Sequence, residues 1–426
     1  MHPVLRHTVA LLPCLLAAPA VAHAQATVSH LTVYDVGVAQ LLEERTVQLQ
    51  PGTNYIEWRS LMPRAFIRTL RVTADGAEVV RQDLSYDGQE VRNTRSPALR
   101  VVVNNRGGAR AARVRVDYMA PDLGWNADYS MVLAPTGQDE APTAGALDAW
   151  VSLLNETGTD VRAGMVDLVA GEIALLVGGG QNRQENFAMN VSQSLGARGA
   201  DAGTGGLLSA EAGGVGAFHR FRLGRDIALN TNAPIGRHPL FQGARLELAQ
   251  RNVFENEFGT QTLARGGFQL LPRGLEVRLV SRNPTDAAMP AGQVTVYATQ
   301  GGVAQVVGQD RVPLTPAGGE FSVALGRSGT LFGTRRVLER REVEYRTEDG
   351  RNRDRLITRV EVVLANRGAA PAEAYVRESV EPNGENQWEI KESSTTPERL
   401  SANTFQMRVR VPARGSTTVT YTVETK

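Results

Sequence analysis

The side chains best suited to chemistry in this chain are carboxylates. Asp128, Asp148, Asp167 and Glu172 lie close together in sequence. Glycoside hydrolysis needs only two such groups, brought to about 5–10 Å apart. Asp128 and Asp148 fall on the polar faces of alternating segments, where solvated carboxylates are also ordinary. Four tryptophans, Trp58, Trp125, Trp150 and Trp388, could stack on sugar rings. Trp125 shares an apolar strand face and Trp150 lies in a run apolar on both sides, so both are expected in a core. Trp388, within Asn386-Gln-Trp-Glu-Ile390, is expected to be exposed. The candidates for ligand contact are therefore Trp388, Asp128 and Asp148.

Other chemistries have little to work with. Beyond the N-terminal segment the histidines are His30, His219 and His238, none paired at metal-ligand spacing. The single cysteine, Cys14, lies within that segment. No His-Glu-x-x-His run occurs, and Gly326-Arg-Ser-Gly329 has its second glycine one place too early for a nucleophile elbow. The glycine-rich stretch Val177 to Ala217 lacks the Gly-Lys-Ser/Thr ending of a phosphate cradle. No catalytic residue, metal or cofactor is assigned.

These residues must be positioned by strands. Leu123, Trp125, Ala127, Tyr129, Met131 and Leu133 alternate with Gly124, Asn126, Asp128 and Ser130, the period of a strand with one buried face. Leu147 to Leu154 is apolar on both faces and is expected deeper in a sandwich. Met165 to Ala170 returns as a third strand after the Asn155-Glu-Thr-Gly158 turn. Asp75-Gly76, Asp87-Gly88 and Asp349-Gly350 are two-residue hairpin signals, and Asn383-Gly384 is a close relative. Leu99 to Val103 and Ala112 to Met119 are expected to form a hairpin around Asn104 to Gly108. Phe405 to Val411 and Val419 to Val423 are expected to form another with one wet face. An apolar run ending in asparagine, then a small polar turn, recurs at Asn105, Asn155, Asn283 and Asn366. Its irregular interval excludes a solenoid and suggests several sandwiches with similar hairpins. Arg335 to Arg359, with interleaved charges, reads as a solvated hairpin whose charges protect an edge.

Residues 1–26 read as a secretory signal peptide, with a basic start, an apolar run too short to span a bilayer, and small residues for cleavage. Without Arg6 the basic and acidic side chains balance, so no general attraction to nucleic acid or anionic membrane follows. No later segment is apolar and long enough for a transmembrane helix. Aromatic residues, at 6%, are too few for the two girdles of an outer-membrane barrel.

Leu123-Gly-Trp-Asn-Ala-Asp-Tyr129 resembles the L-S-W-x-A-x-Y segment of the family called domain of unknown function 4139, which includes mucoidy-inhibitor-A-like proteins. Leu153 to Gly171, Pro290-Ala-Gly-Gln-Val-Thr-Val-Tyr297, Asn366 with its turn, and Trp388-Glu-Ile390 extend the resemblance from about Tyr118 to Thr425. The resemblance implies a β-rich, often exported protein without established catalytic residues. Mucoidy-inhibitor-like members carry a coiled coil near the N-terminal strands. There is no room for one between Asp83 and Ala98, so no role depending on it carries over.

The chain is therefore expected to be all-β, with two or three immunoglobulin-like antiparallel β-sandwich domains and one long disordered loop. The expected divisions are an N-terminal β domain over 27–117, a central β domain over 118–236 containing the loop 177–217, and a C-terminal β-sandwich over 237–426. The expected role is a non-enzymatic interaction module of the bacterial cell envelope, periplasmic or extracellular, whose partner is an envelope protein or surface polysaccharide. The alternative is a glycan-binding or glycan-hydrolysing protein using paired carboxylates and an exposed tryptophan.

Overall fold

The computed structural model describes residues 25–86, 90–91, 94–135, 141–171, 218–255, 272–346, 352–380 and 388–425. The expected leader up to residue 24, Glu172, the segment 177–217 and the turns Asp87-Gly88, Asp349-Gly350 and Asn383-Gly384 lie outside them. Of the described residues, 76% are in strands and none is in a helix, so the protein is all-β.

In chain order the first strands are β1 (Gln25–Val28), β2 (His30–Tyr34), β3 (Val38–Leu49), β4 (Gly52–Trp58), β5 (Phe66–Ala74), β6 (Glu78–Ser85), β7 (Glu90–Val91), β8 (Thr94–Arg95), β9 (Ala98–Asn105) and β10 (Arg110–Pro121). Next come β11 (Leu123–Leu133), β12 (Ala144–Asn155), β13 (Asp160–Gly171), β14 (Phe218–Leu229), β15 (Ile235–Glu247), β16 (Ala249–Glu255), β17 (Arg273–Arg282), β18 (Gly292–Gln300) and β19 (Val303–Val312). The chain continues through β20 (Glu320–Arg346), β21 (Asn352–Asn366), β22 (Ala372–Ser379), β23 (Trp388–Ser393), β24 (Pro397–Arg399), β25 (Thr404–Val411) and β26 (Ser416–Thr425).

The N-terminal sheet runs β1-β13-β2-β3-β10-β5, with β14 on the other side of β13. A small sheet runs β4-β9-β6, and β7 pairs with β8. A five-stranded sheet, here the platform sheet, runs β15-β12-β11-β18-β19. The C-terminal sheet runs β23-β26-β21-β20-β17-β16-β22-β25-β24. Most pairings are antiparallel. The parallel ones are β1 and β2 with β13, β11 with β18 and β16 with β22. Two apolar cores result. Trp58, Tyr118, Trp125, Tyr129 and Met131 lie in the first, and Phe254, Phe405, Met407 and Tyr421 in the second. β17 and β20 enter both, through Leu279 and Val323 in one and Leu275 and Leu331 in the other.

Several expected hairpins are in fact arches, their two strands pairing with different partners. β5 and β6 flank Asp75-Gly76, but β5 pairs with β10 and β6 with β9. β9 and β10 likewise belong to different sheets, and β25 pairs with β22 while β26 pairs with β21 and β23. Both strands of an arch turn their apolar residues to one core, so they carry the same two-residue period as a hairpin. Their hydrogen-bond partners differ, and periodicity does not encode those.

The arches come in pairs. Ribbon β3/β10 continues as β4/β9, β12/β15 as β13/β14, β17/β20 as β18/β19, and β21/β26 as β22/β25. Each two-stranded ribbon thus bends, the first three from one sheet into another and the last within the C-terminal sheet. One of the four recurring asparagines sits at each bend: Asn105, Asn155, Asn283 and Asn366 are all buried, none more than 4% exposed. Each amide makes the same bonds. Nδ2 donates across its own turn to Gly108 O (3.0 Å), Thr159 O (3.0 Å), Ala287 O (2.8 Å) or Ala370 O (2.9 Å). It also donates to the facing chain, at Gln50 O (3.2 Å), Leu229 O (2.9 Å), Thr315 O (3.1 Å) or Val411 O (3.4 Å). Oδ1 accepts from the N–H two residues on, at Gly107 (3.2 Å), Thr157 (3.1 Å), Thr285 (3.0 Å) or Gly368 (2.8 Å). A short side chain with two donors and an acceptor is what such a bend requires.

Each backbone group left buried without a partner costs about 1–3 kcal/mol. Asn155→Ala and Asn283→Ala are therefore expected to lose about 2–4 kcal/mol each in chemical denaturation, with Asn232→Ala, in an exposed turn, within about 0.5 kcal/mol of wild type. Asn155→Asp, which keeps the shape but not the donors, should fail as well. Corner variants as stable as the Asn232 control would contradict the assignment.

Candidate functional site

The sequence candidates converge in part on the platform sheet. Its inner face is core, with Trp125, Ala127, Tyr129 and Met131 buried. Its other face is laid out in rows by strand register. Pro239, Trp150, Asp128, Gln293 and Arg311 form one row across β15, β12, β11, β18 and β19. Asp148, Ser130, Thr295 and Gln309 form the next, and Ala146, Val132, Tyr297 and Val306 a third. Most of these side chains are part-exposed or exposed, with Val132 at 38% and Val306 at 57%. Strand spacing and two-residue repeat make the face roughly 20 Å by 20 Å.

Asp128 and Asp148 share this face, one row apart. Asp128 Oδ2 accepts from Ser152 Oγ (2.6 Å), and Asp148 Oδ1 accepts from Gly243 N–H (2.6 Å). They are diagonal neighbours on adjacent strands of an open surface. Trp150 is the correction to the expected packing. The second face of β12 is buried only at Ser152 and Leu154, so Trp150 stays part-exposed, with the Arg237 guanidinium 5.3 Å from its ring centroid. The sequence missed it because an apolar neighbour on each side reads as burial.

Trp388 lies elsewhere, on β23 in the C-terminal sheet, and is half-buried rather than exposed. Phe405 packs 5.7 Å from it, Arg399 lies 4.4 Å over the ring, and its Nε1 donates to Ala402 O (2.6 Å). These contacts leave little ring for a ligand. The charged hairpin β20/β21 forms as expected, with one difference. Arg335 is buried and its Nε donates to the buried Glu378 (2.8 Å), a pair that holds β20 to β22 instead of facing water.

Three further carboxylates are buried, Asp167, Glu43 and Glu424. Asp167 is fully enclosed and accepts from His30 Nε2 (2.8 Å), Arg220 and Arg222 (3.3 Å). Burial pushes it up, but hydrogen bonds and charge from the arginines and His30 outweigh this and hold it below the usual aspartate value. Glu43 accepts from Trp58 Nε1 (2.7 Å), Tyr118 Oη (2.8 Å) and Ser60 Oγ. Burial raises its carboxyl, and those three bonds with the nearby Arg45 charge only partly offset the rise. Neither Asp167 nor Glu43 has a second carboxylate beside it. Among the described residues no His, Cys, Asp and Glu group could hold a metal ion, and no helix is long and apolar enough to cross a membrane.

No protein-family model matches the chain, and no curated protein matches it.

The raised Glu43 has a measurable consequence. An acid raised in the folded state lends most stability below the ordinary glutamate value and loses it as pH climbs through the folded value. Glu43→Gln removes that titration, so thermal melts between about pH 4 and pH 7 should show wild type losing stability relative to the variant as pH rises. A difference that stays constant with pH would contradict this account of Glu43.

Proposed function

We propose that the protein is an exported, non-enzymatic binding module of the bacterial cell envelope, and that the outer face of the platform sheet takes a surface glycan. The row Pro239–Trp150–Asp128–Gln293–Arg311 carries the reading. An indole offers an apolar face to a sugar ring, and the carboxylate, amide and guanidinium beside it offer acceptors and donors to vicinal hydroxyls. The next row continues the polar set through Asp148, Ser130, Thr295 and Gln309. The flat, open shape suits an extended chain better than a small molecule, which wants a cleft enclosing most of its surface.

Arg237 over Trp150 is no obstacle. A cation over an aromatic ring at an exposed site is worth only about 0.5–1 kcal/mol, less than a stacked sugar with its hydrogen bonds would return. The hydrolase alternative draws less support, because Asp128 and Asp148 are diagonal neighbours on an open surface. The immunoglobulin-like reading of the sandwiches belongs with this proposal; stacked ribbons around two buried cores support it.

Binding of the secreted protein to purified envelope polysaccharides tests the proposal. Trp150→Ala and Asp128→Ala should each weaken binding by roughly tenfold, the scale of one buried aromatic or charged hydrogen-bond anchor, with no sugar released by wild type. Undiminished binding by both variants would reject the platform, and release of reducing ends would reject the non-enzymatic reading.

A further inference from the structure

The buried Asp167 organises more positive charge than it needs. Arg220 and Arg222 both bond to it, yet their side chains remain 51% and 63% exposed. They project from β14, which lies at the sheet edge on β13. Register places Arg225 opposite Met165, Arg222 opposite Asp167, Arg220 opposite Val169 and Phe218 opposite Gly171. An irregularity between Val166 and Asp167 keeps Arg225 on the same outward face. Among the described residues Arg225 is in no ion pair, and the acids of β13 and β14 are Asp160, held by Thr231, the buried Asp167 and the exposed Asp226. The chain as a whole is nearly neutral, so the excess is local.

We propose that this row docks a linear anionic polysaccharide, its carboxylates paired with Arg220, Arg222 and Arg225 and a sugar ring against Phe218. Asp167 acts as a positioning residue: it fixes two guanidiniums without neutralising the row. Guanidiniums suit the partner because their planar donors match carboxylates two at a time. The row is narrow, about 25 Å along one edge strand, and ends in the 49% exposed Phe218. A line of charge fits a linear polyanion, whereas an anionic bilayer would be met by a broad basic face. The site is separate from the platform and does not depend on it.

The test is binding of the secreted protein, at low ionic strength, to polygalacturonate, to neutral dextran and to anionic phospholipid vesicles. Wild type should bind polygalacturonate, weaken as salt rises, and ignore dextran. Arg225→Gln leaves the bonds to Asp167 intact and should lose roughly fivefold in affinity, while Arg410→Gln, at an exposed arginine of the C-terminal sheet, should bind polygalacturonate as wild type does. Circular dichroism establishes that both variants are folded. Failure of wild type to bind, an unaffected Arg225→Gln, an equal loss in Arg410→Gln, or binding to vesicles but not polygalacturonate would each overturn the proposal.

Discussion

The fold depends on how a two-stranded ribbon turns a corner without stranding its backbone. Where a ribbon leaves one layer for the next, ladder hydrogen bonds stop, and carbonyls that must remain buried lose their partners. Water cannot reach them, and each would cost about 1–3 kcal/mol. The carboxamides of Asn105, Asn155, Asn283 and Asn366 solve this four times in one way, each bridging its own turn and the facing chain. Without those bridges the ribbons could still pair, but nothing would fix where they bend or which core their apolar faces enter.

Both proposed binding surfaces follow from that constraint. The corner at Asn155 carries β12/β15 in the platform sheet into β13/β14 at the edge of the N-terminal sheet. One ribbon therefore supplies Trp150 and Asp148 to the platform and Asp167, Arg220 and Arg222 to the basic row. The corner at Asn283 brings β18/β19 beside β11, which adds Gln293, Thr295 and Arg311 to the platform. Rigid strands hold these groups, and register alone sets the spacing between rows.

The sequence made some of this legible. Alternation from Leu123 to Leu133 identified a strand and its buried face, and the recurrence of asparagine after an apolar run marked all four corners. It did not show that the strands at these corners pair elsewhere, because an arch and a hairpin present the same alternation to a shared core. The exposure of Trp150 was hidden for a related reason: Leu154 is covered and Trp150 is not, and that depends on what packs over the sheet. Arg335 reads as one charge in a solvated run until β22 brings Glu378 against it. Asp167 reads as a possible catalyst until β2 and β14, distant in sequence, enclose it with His30, Arg220 and Arg222.

Amide hydrogen exchange at the turn residues Gly107, Thr157, Thr285 and Gly368 tests the corner account most directly. All four lie in segments that composition would mark as exposed turns, yet each N–H donates to a buried asparagine oxygen. They should exchange as slowly as amides in the flanking strands, opening only when the ribbon itself opens. Exchange at the rate of ordinary surface turns would show that the asparagines do not hold the bends.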